Sequence, residues 1–234
     1  AIRDGLIKIN PATKAMGKPQ DRPEVQFWVG AELARFLAGI VNVDERTLYR
    51  VAGQTGMRLG ELLGLRWRDV DLEHGLVTVQ HQLVRQRGLG YGFGPPKTRR
   101  GRRTIEASPD TVKALRSHRS QQDIHRERWG DAYRSEDDLV FCREDGSRYD
   151  PTQIGKRFGR AQAGKGLPRL RFHDLRHTSA VIGLRELGEW PDETCARLGH
   201  TSVAFTLDTY GHLLPKRGKQ VAAAFDALLR EASA

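Results

Sequence analysis

One stretch of this chain breaks with its neighbours in hydrophobic period. Leu76-Val-Thr-Val-Gln-His-Gln-Leu-Val84 is rich in β-branched residues and alternates in places, as a strand does. Gly88, Gly90, Gly92 and Gly94 then interrupt the chain, Pro95-Pro96-Lys97-Thr98 turns it, and Thr104-Ile-Glu-Ala107 follows. The segment reads as a small antiparallel sheet with a basic turn. Most of the apolar residues elsewhere recur at helical spacing. The expected fold class is therefore mainly α with a small antiparallel β-sheet on one side.

Leu33, Phe36, Leu37 and Ile40 form one apolar stripe. A second helix is predicted from Asp44, taken as its N-cap, to Gly56. Leu59, Leu62 and Leu63 give the buried side of a short third helix, with Arg58 at its start and off the stripe. Residues 109–129 return to helix, with Pro109 near N1. Leu139-Val-Phe-Cys142 is predicted as a short strand, and 151–163 as a basic helix. The region 171–212 is nearly all helix: His173 to Leu187 stopping at Gly188, Pro191 to Leu198 stopping at Gly199, and a third from Ser202 that carries Tyr210. A last amphipathic helix bears Val221, Phe225, Leu228 and Leu229 on one side.

The 234 residues suffice for one sizeable core. Residues 1–22 cannot form a core alone. They read as the end of a preceding domain followed by a polar linker with Gly17 and Pro19. The chain opens Ala1-Ile-Arg rather than on methionine, which we read as a trimmed piece of a longer protein. No apolar run approaches the ~20 residues that span a bilayer. No signal peptide is visible, and Cys142 and Cys195 fit neither a disulfide framework nor a zinc site. A reducing, cytoplasmic setting is expected, with no metal and no cofactor.

The net charge of +10 suggests a polyanionic partner. From Arg85 to Arg103 there are seven Arg or Lys and no acid: Arg85, Arg87, Lys97, Arg99, Arg100, Arg102 and Arg103. Such a run is commonly a solvated surface, but its density on a hairpin also suits phosphate contact. Lys156, Arg157 and Arg160 on the 151–163 helix extend the candidate surface. Its basic residues lie on hairpins and turns rather than on one amphipathic face, which argues against a membrane surface.

His173, Arg176, His200 and Tyr210 fall within about forty residues. They are a base, a cation, a hydrogen-bond donor and a hydroxyl nucleophile, the kinds of group that phosphoryl transfer without a metal needs. His173 and Arg176 stand three apart at a helix start, where free N–H groups and the helix dipole favour an anion. Each alone has an ordinary explanation. An isolated His-x-x-Arg is usually helix surface, a histidine after Leu-Gly bonds to backbone, and a buried tyrosine has a satisfied hydroxyl.

Five pieces in register point one way. Thr55-Gly-Met-Arg-Leu-Gly-Glu-Leu62, Pro96-Lys-Thr98, His173-Asp-Leu-Arg-His-Thr178, Leu198-Gly-His200 and Leu207-Asp-Thr-Tyr210 resemble the tyrosine recombinases, the phage-type integrase family. The resemblance covers roughly residues 24–215. It implies a catalytic domain at 23–215, the end of a core-binding domain and a linker at 1–22, and a C-terminal helical tail at 216–234. It also implies catalytic roles for Arg58, Lys97, His173, Arg176, His200 and Tyr210, with Glu61 ordering Arg58.

The implied chemistry is attack by Tyr210 on a scissile DNA phosphate, giving a 3′-phosphotyrosyl link and a free 5′-hydroxyl. Arg58, Arg176 and His200 would hold the oxygens, His173 would accept the tyrosine proton, and Lys97 would protonate the leaving 5′-oxygen. The implied partners are double-stranded DNA, a homo-tetramer on two DNA sites, and directionality or DNA-bending factors, in a bacterial host cell. An isolated catalytic domain could also be monomeric. Two other readings stay open: strand relaxation as in type IB topoisomerases, and a non-catalytic DNA-binding module. The last helix could pack on its own core or on a neighbour.

Overall fold

The computed structural model describes residues 25–86, 88, 90–216 and 218–231. The expectation for residues 1–22 lies outside them, as does Arg87. Nine helices and five strands appear among the described residues. In order they are α1 (Gly30–Ala38), α2 (Val43–Thr55), α3 (Leu59–Leu63), β1 (Val70–Asp71), β2 (Leu76–Val79), β3 (Gln82–Gln86), β4 (Gly90–Gly94), β5 (Arg103–Glu106), α4 (Pro109–Trp129), α5 (Pro151–Ala161), α6 (Asp174–Val181), α7 (Pro191–Leu198), α8 (Val203–Tyr210) and α9 (Gly218–Glu231). The chain is mostly helical with small antiparallel sheets, as the hydrophobic period predicts. No helix among the described residues is long and apolar enough to cross a membrane.

The predicted strand 76–84 is two strands in two sheets. β2 lies between β1 and β5, with Leu76 opposite Glu106 and Val79 opposite Arg103. β3 instead forms a hairpin with β4, from Gln82 opposite Gly94 to Gln86 opposite Gly90. The second hairpin is pressed against α3. A Cβ on Gly60 would come within 2.8 Å of the Leu83 carbonyl, and one on Gly64 within 3.0 Å of the Gln82 backbone. Two glycines thus let the helix approach the strand, a tertiary demand that the strand's own residues do not reveal.

Two other predictions shift. Asn42, not Asp44, caps α2, its side chain accepting the Glu45 N–H at 2.8 Å. The Asp44 carboxylate turns to His118 Nδ1 at 2.8 Å, while His118 Nε2 lies 2.6 Å from the Val140 carbonyl. The predicted strand 139–142 makes only isolated bridges, Arg66 with Leu139 and Cys142 with Arg148. Its backbone is shared between main-chain and side-chain partners: the Val140 N–H donates to the Leu65 carbonyl at 2.9 Å, and the Val140 carbonyl accepts from the Gln122 amide at 3.0 Å.

The main core is centred on Trp28, Phe36, Tyr49, Phe158 and Phe172, all buried. Their rings pack tilted or edge-on, with centroids from 4.8 Å for Trp28–Phe36 to 6.2 Å for Tyr49–Phe172. Such pairs contribute about 0.5–1.5 kcal/mol each beyond area burial. This cluster ties α1, α2 and α5 to the approach of α6. A smaller cluster of Ala180, Val181, Leu184, Leu198 and Tyr210 joins α6, α7 and α8. α6 runs on into a π-helical turn, Ile182–Leu187, and stops at Gly188 in the left-handed conformation.

Candidate active site

Arg58 is the residue before α3. Its N–H donates to Glu61 Oε2 at 3.0 Å and its Nη1 to Glu61 Oε1 at 2.7 Å. Glu61 is itself buried and accepts a further bond from Arg103 Nη2 at 2.9 Å. Burial alone would push this carboxyl up. The Arg103 charge and hydrogen bond, with those of Arg58, outweigh it and hold the carboxyl below its ordinary value.

Arg176, on α6, is buried in the same place. Its Nη1 donates to the Gly56 carbonyl at 2.8 Å, and its Nη2 is buried with no partner. Gly56 follows α2 with φ +63°, and a Cβ there would meet the Leu198 and Ser179 side chains. Burial, then Arg58 and Arg103, press the Arg176 pKa down. The guanidinium stays charged, because arginine loses its proton only far above neutrality. Among the groups that act on it, three guanidinium charges including its own face the single carboxylate Glu61. An anion would relieve that imbalance and satisfy Nη2.

His173 lies at the start of α6. Burial, then the Arg176 charge, lower its pKa, with Asp174 opposing. His200 follows Gly199, whose φ of +67° turns the chain out of α7. Its Nδ1 is 2.8 Å from the buried Thr206 hydroxyl, which leaves Nε2 for another partner. Burial and the charges of Arg176, Arg58 and Arg103 hold His200 down to about 3, so its ring is neutral at pH 7.

Tyr210 ends α8. It is 2% exposed, and its ring stacks parallel to that of His200 at 6.3 Å. Burial pushes its hydroxyl up to about 12, with Arg176 and Arg197 pulling the other way. The hydroxyl is 2.7 Å from His177 Nδ1, on α6. A hydroxyl thus sits beside a neutral imidazole, a second imidazole and an arginine cluster with an unused donor. That set suits attack on a phosphate whose charge the arginines hold.

Residues 31–217 match the sequence profile of the Phage integrase family. This chain belongs to the phage integrase family. It is 28% identical to a protein named tyrosine recombinase XerC-like from Caldanaerobacter subterraneus subsp. tengcongensis, covering 93% of this chain and 59% of that protein. It is 29% identical to the ICEBs1 integrase of Bacillus subtilis, covering 98% of this chain and 62% of that one. The chain therefore spans about three fifths of the length of these relatives. The fold is similar to that of the Tn1549 transposon integrase solved with transposon right end DNA, with a TM-score of 0.75 at 23% identity, covering 98% of this chain and 74% of that chain. It is also similar to a lambda integrase dimer bound to a COC′ core site, with a TM-score of 0.54 at 19% identity, over 92% of this chain and 57% of that chain.

Within this integrase fold, Arg58, His173, Arg176, His200 and Tyr210 come together, with Glu61 behind Arg58. Lys97 does not join them here. It is exposed on the loop after β4 and makes no hydrogen bond or ion pair among the described residues. Of the other basic residues, Arg85, Arg100, Arg102, Lys156 and Arg160 are exposed. Arg100 donates to the Thr201 carbonyl at 2.7 Å. Arg157 is half-buried, 3.5 Å from Glu45. Lys156, Arg160 and Arg169 line an open groove of about 700 Å³ along α5, floored by Gly155 and Gly159. The Arg99 side chain lies outside the described structure.

Arg103 differs from its expected place on the basic surface. Its side chain is 6% exposed, and its three nitrogens donate to the Arg197 carbonyl, the Gly101 carbonyl and Glu61. It is an internal support, because β5 turns it inward under α7.

Three residues of the site were missed from sequence. His177 stands four after His173 on one helix face, a spacing that was available to read. Thr206 stands four before Tyr210 in the same way. Arg197 binds Glu189 at 2.6 Å, the Ser179 hydroxyl at 2.5 Å and the Gln54 carbonyl at 3.2 Å. No local pattern marks it. Among the described residues, no group of three or more His, Cys, Asp or Glu is placed to hold a metal ion.

Proposed function

We propose that this chain is the catalytic part of a site-specific DNA recombinase of a mobile element. It cuts and rejoins strands through a 3′-phosphotyrosyl link at Tyr210. The observation that carries the reading is the buried, unpartnered Nη2 of Arg176 beside Arg58, next to the Tyr210 hydroxyl. Arg58 and Arg176 bind the non-bridging oxygens of the scissile phosphate, and His200 Nε2 donates to them. Negative charge grows on these oxygens during attack, so their donors act more strongly on the transition state than on the substrate. His173, beside Arg176 at the start of α6, accepts the proton of Tyr210. Lys97, on its exposed loop, reaches the leaving 5′-oxygen and gives it a proton. The phosphotyrosyl ester keeps the energy of the broken bond, so rejoining needs no nucleotide.

Double-stranded DNA is the substrate in this reading. The exposed arginines of the hairpins and the α5 groove hold its backbone, which gives affinity and register. The Tn1549 and lambda integrase structures, both solved with DNA, support this partner by fold. α9 supports assembly into a tetramer, since Val221, Phe225 and Leu228 on it are 61–64% exposed. Docking on a neighbouring subunit would bury that face.

Covalent capture tests the reading. The chain is mixed with a pool of nicked duplexes randomised over about three helical turns of DNA (roughly 30 base pairs), and DNA that partitions with denatured protein is sequenced. A recovered consensus, lost in Tyr210→Phe, is expected. Capture by Tyr210→Phe, or none by the parent chain, would refute the proposed chemistry. Relaxation of supercoiled DNA without joining of two sites would favour the topoisomerase reading.

A further inference from the structure

Sequence alone places Arg100 on the basic surface, yet its guanidinium is already engaged by the protein. Nη1 donates to the Thr201 carbonyl at 2.7 Å, in the turn between α7 and α8 that carries His200. The Arg100 backbone is pressed on the same turn, since a Cβ on Gly199 would come within 2.8 Å of the Arg100 carbonyl. Three residues on, Arg103 donates to the Arg197 carbonyl near the end of α7. The segment between β4 and β5 is thus fastened around His200. Lys97 stands in that segment, exposed, three residues before Arg100. We propose that Arg100 is a positioning residue for Lys97: by latching the loop onto the α7–α8 turn, it keeps the lysine within reach of the leaving 5′-oxygen. The inference rests on Lys97 being the proton donor of the proposed reaction.

The loop has a shape of its own for the latch to hold. Pro96 is buried, and a Cβ on Gly101 would come within 2.5 Å of the Pro96 Cβ. The Gly101 N–H donates to the Thr98 carbonyl at 2.9 Å and closes a tight turn over Arg99–Gly101. Lys97 therefore projects from a folded turn, not from slack chain. Three residues span at most roughly 11 Å, so an anchored Arg100 keeps the Lys97 Cα within that distance of a group beside His200. Without the Arg100 bond, only the strand ends and Arg103 hold the segment. The lysine then samples positions from which its ammonium cannot serve the phosphate.

The step that the latch serves is the departure of the 5′ end. The P–O5′ bond breaks with its electron pair on O5′, which takes a proton from the Lys97 ammonium and leaves a neutral amine. A sulfur in place of O5′ departs as a thiolate and needs no proton. A residue that acts only through Lys97 loses its influence on such a substrate.

Two measurements decide it, and the first needs no DNA. Amide hydrogen exchange at Gly101 reports opening of the turn. A hydrogen bond of ordinary net strength predicts about 3- to 10-fold faster exchange in Arg100→Ala, after correction for the changed neighbour. Exchange equal to the parent's would show that Arg100 latches nothing and would overturn the proposal. The second is single-turnover cleavage of the captured duplex, with oxygen or bridging sulfur at the scissile 5′ position. The chains compared are the parent, Arg100→Ala, Arg100→Gln, Lys97→Ala and Arg100→Ala combined with Lys97→Ala. On oxygen, Arg100→Ala should be about 3- to 10-fold slower, and Arg100→Gln, which keeps a neutral donor, should recover part of the rate. On sulfur, Arg100→Ala should match the parent. The double variant should be no slower than Lys97→Ala, because both changes remove one function. An Arg100→Ala rate equal to the parent's on oxygen overturns the proposal. So does a defect that persists on sulfur or adds to that of Lys97→Ala; a salt slope of DNA binding lowered by about 1 would then identify Arg100 as a phosphate contact. If sulfur fails to rescue Lys97→Ala, the proton-donor reading falls first, and Arg100 loses its role with it even where the exchange result shows the latch.

Discussion

Glu61 and Arg103 are joined by a 2.9 Å ion pair inside the protein, with side-chain exposures of 0% and 6%. The pair couples α3 to β5, and through the Arg197 carbonyl it couples both to α7. Since Glu61 also holds Arg58, one carboxylate fixes from behind the position of the arginine proposed to bind the phosphate. Removing it strands the buried Arg103 and the half-buried Arg58. Glu61→Gln should lower stability by about 3–5 kcal/mol, read by urea denaturation. Glu61→Leu with Arg103→Met should cost less than the sum of the two single changes, with a coupling of about 0.5–3 kcal/mol. Simple additivity would show that the pair does not act as a unit.

The orphaned Nη2 of Arg176 predicts an anion effect. Sulfate, compared with chloride at equal ionic strength, should raise the melting temperature. At ten times its Kd the gain is about 1.4 kcal/mol. Arg176→Gln should abolish the difference. An equal sulfate effect in that variant would place the anion elsewhere.

Thr206 carries a buried hydroxyl whose hydrogen bond is to His200. Thr206→Val keeps the shape and deletes that partner, leaving His200 Nδ1 unsatisfied. The expected loss is about 1–3 kcal/mol, together with slower cleavage, because the His200 tautomer is no longer fixed. Thr206→Ser should retain both properties. Equal stability of the valine variant and the parent chain would rule out a structural role for this bond.

His177 and His200 also set the acid response. Their folded pKa values, about 4 and about 3, lie below the ordinary 6.5. Between these values the unfolded chain binds more protons than the folded one, so stability falls as pH drops below about 6.5. Glu61 and Asp44, held below 4.5 and 3.8, lose their contribution only in a lower window. Thermal melts from pH 7 to 5 should therefore show a slope that flattens when both histidines are replaced by Asn. A slope unchanged by the double substitution would mean that these rings do not titrate there.

Much of the fold was legible because helices record themselves locally. The stripe Leu33, Phe36, Leu37, Ile40 gave α1, Pro109 gave the start of α4, and Gly188 and Gly199 gave two helix ends. The strands were less legible. Leu76–Val84 has one composition but two partners, and only the approach of Gly60 and Gly64 divides it.

The amino-acid sequence by itself determined the helical framework, the grouping of His173, Arg176, His200 and Tyr210, and the excess of positive charge. Those depend on local spacing and residue chemistry, whereas Arg58 was marked by the family resemblance. Tertiary structure alone decided that Arg103 supports Glu61 instead of lying on the surface, and that His177 rather than His173 touches the tyrosine. It also decided that one nitrogen of Arg176 is left without a partner. Burial and pairing are set by residues 33 to 120 positions apart, from His177–Tyr210 to Gly56–Arg176. No periodicity within a single element encodes such distances.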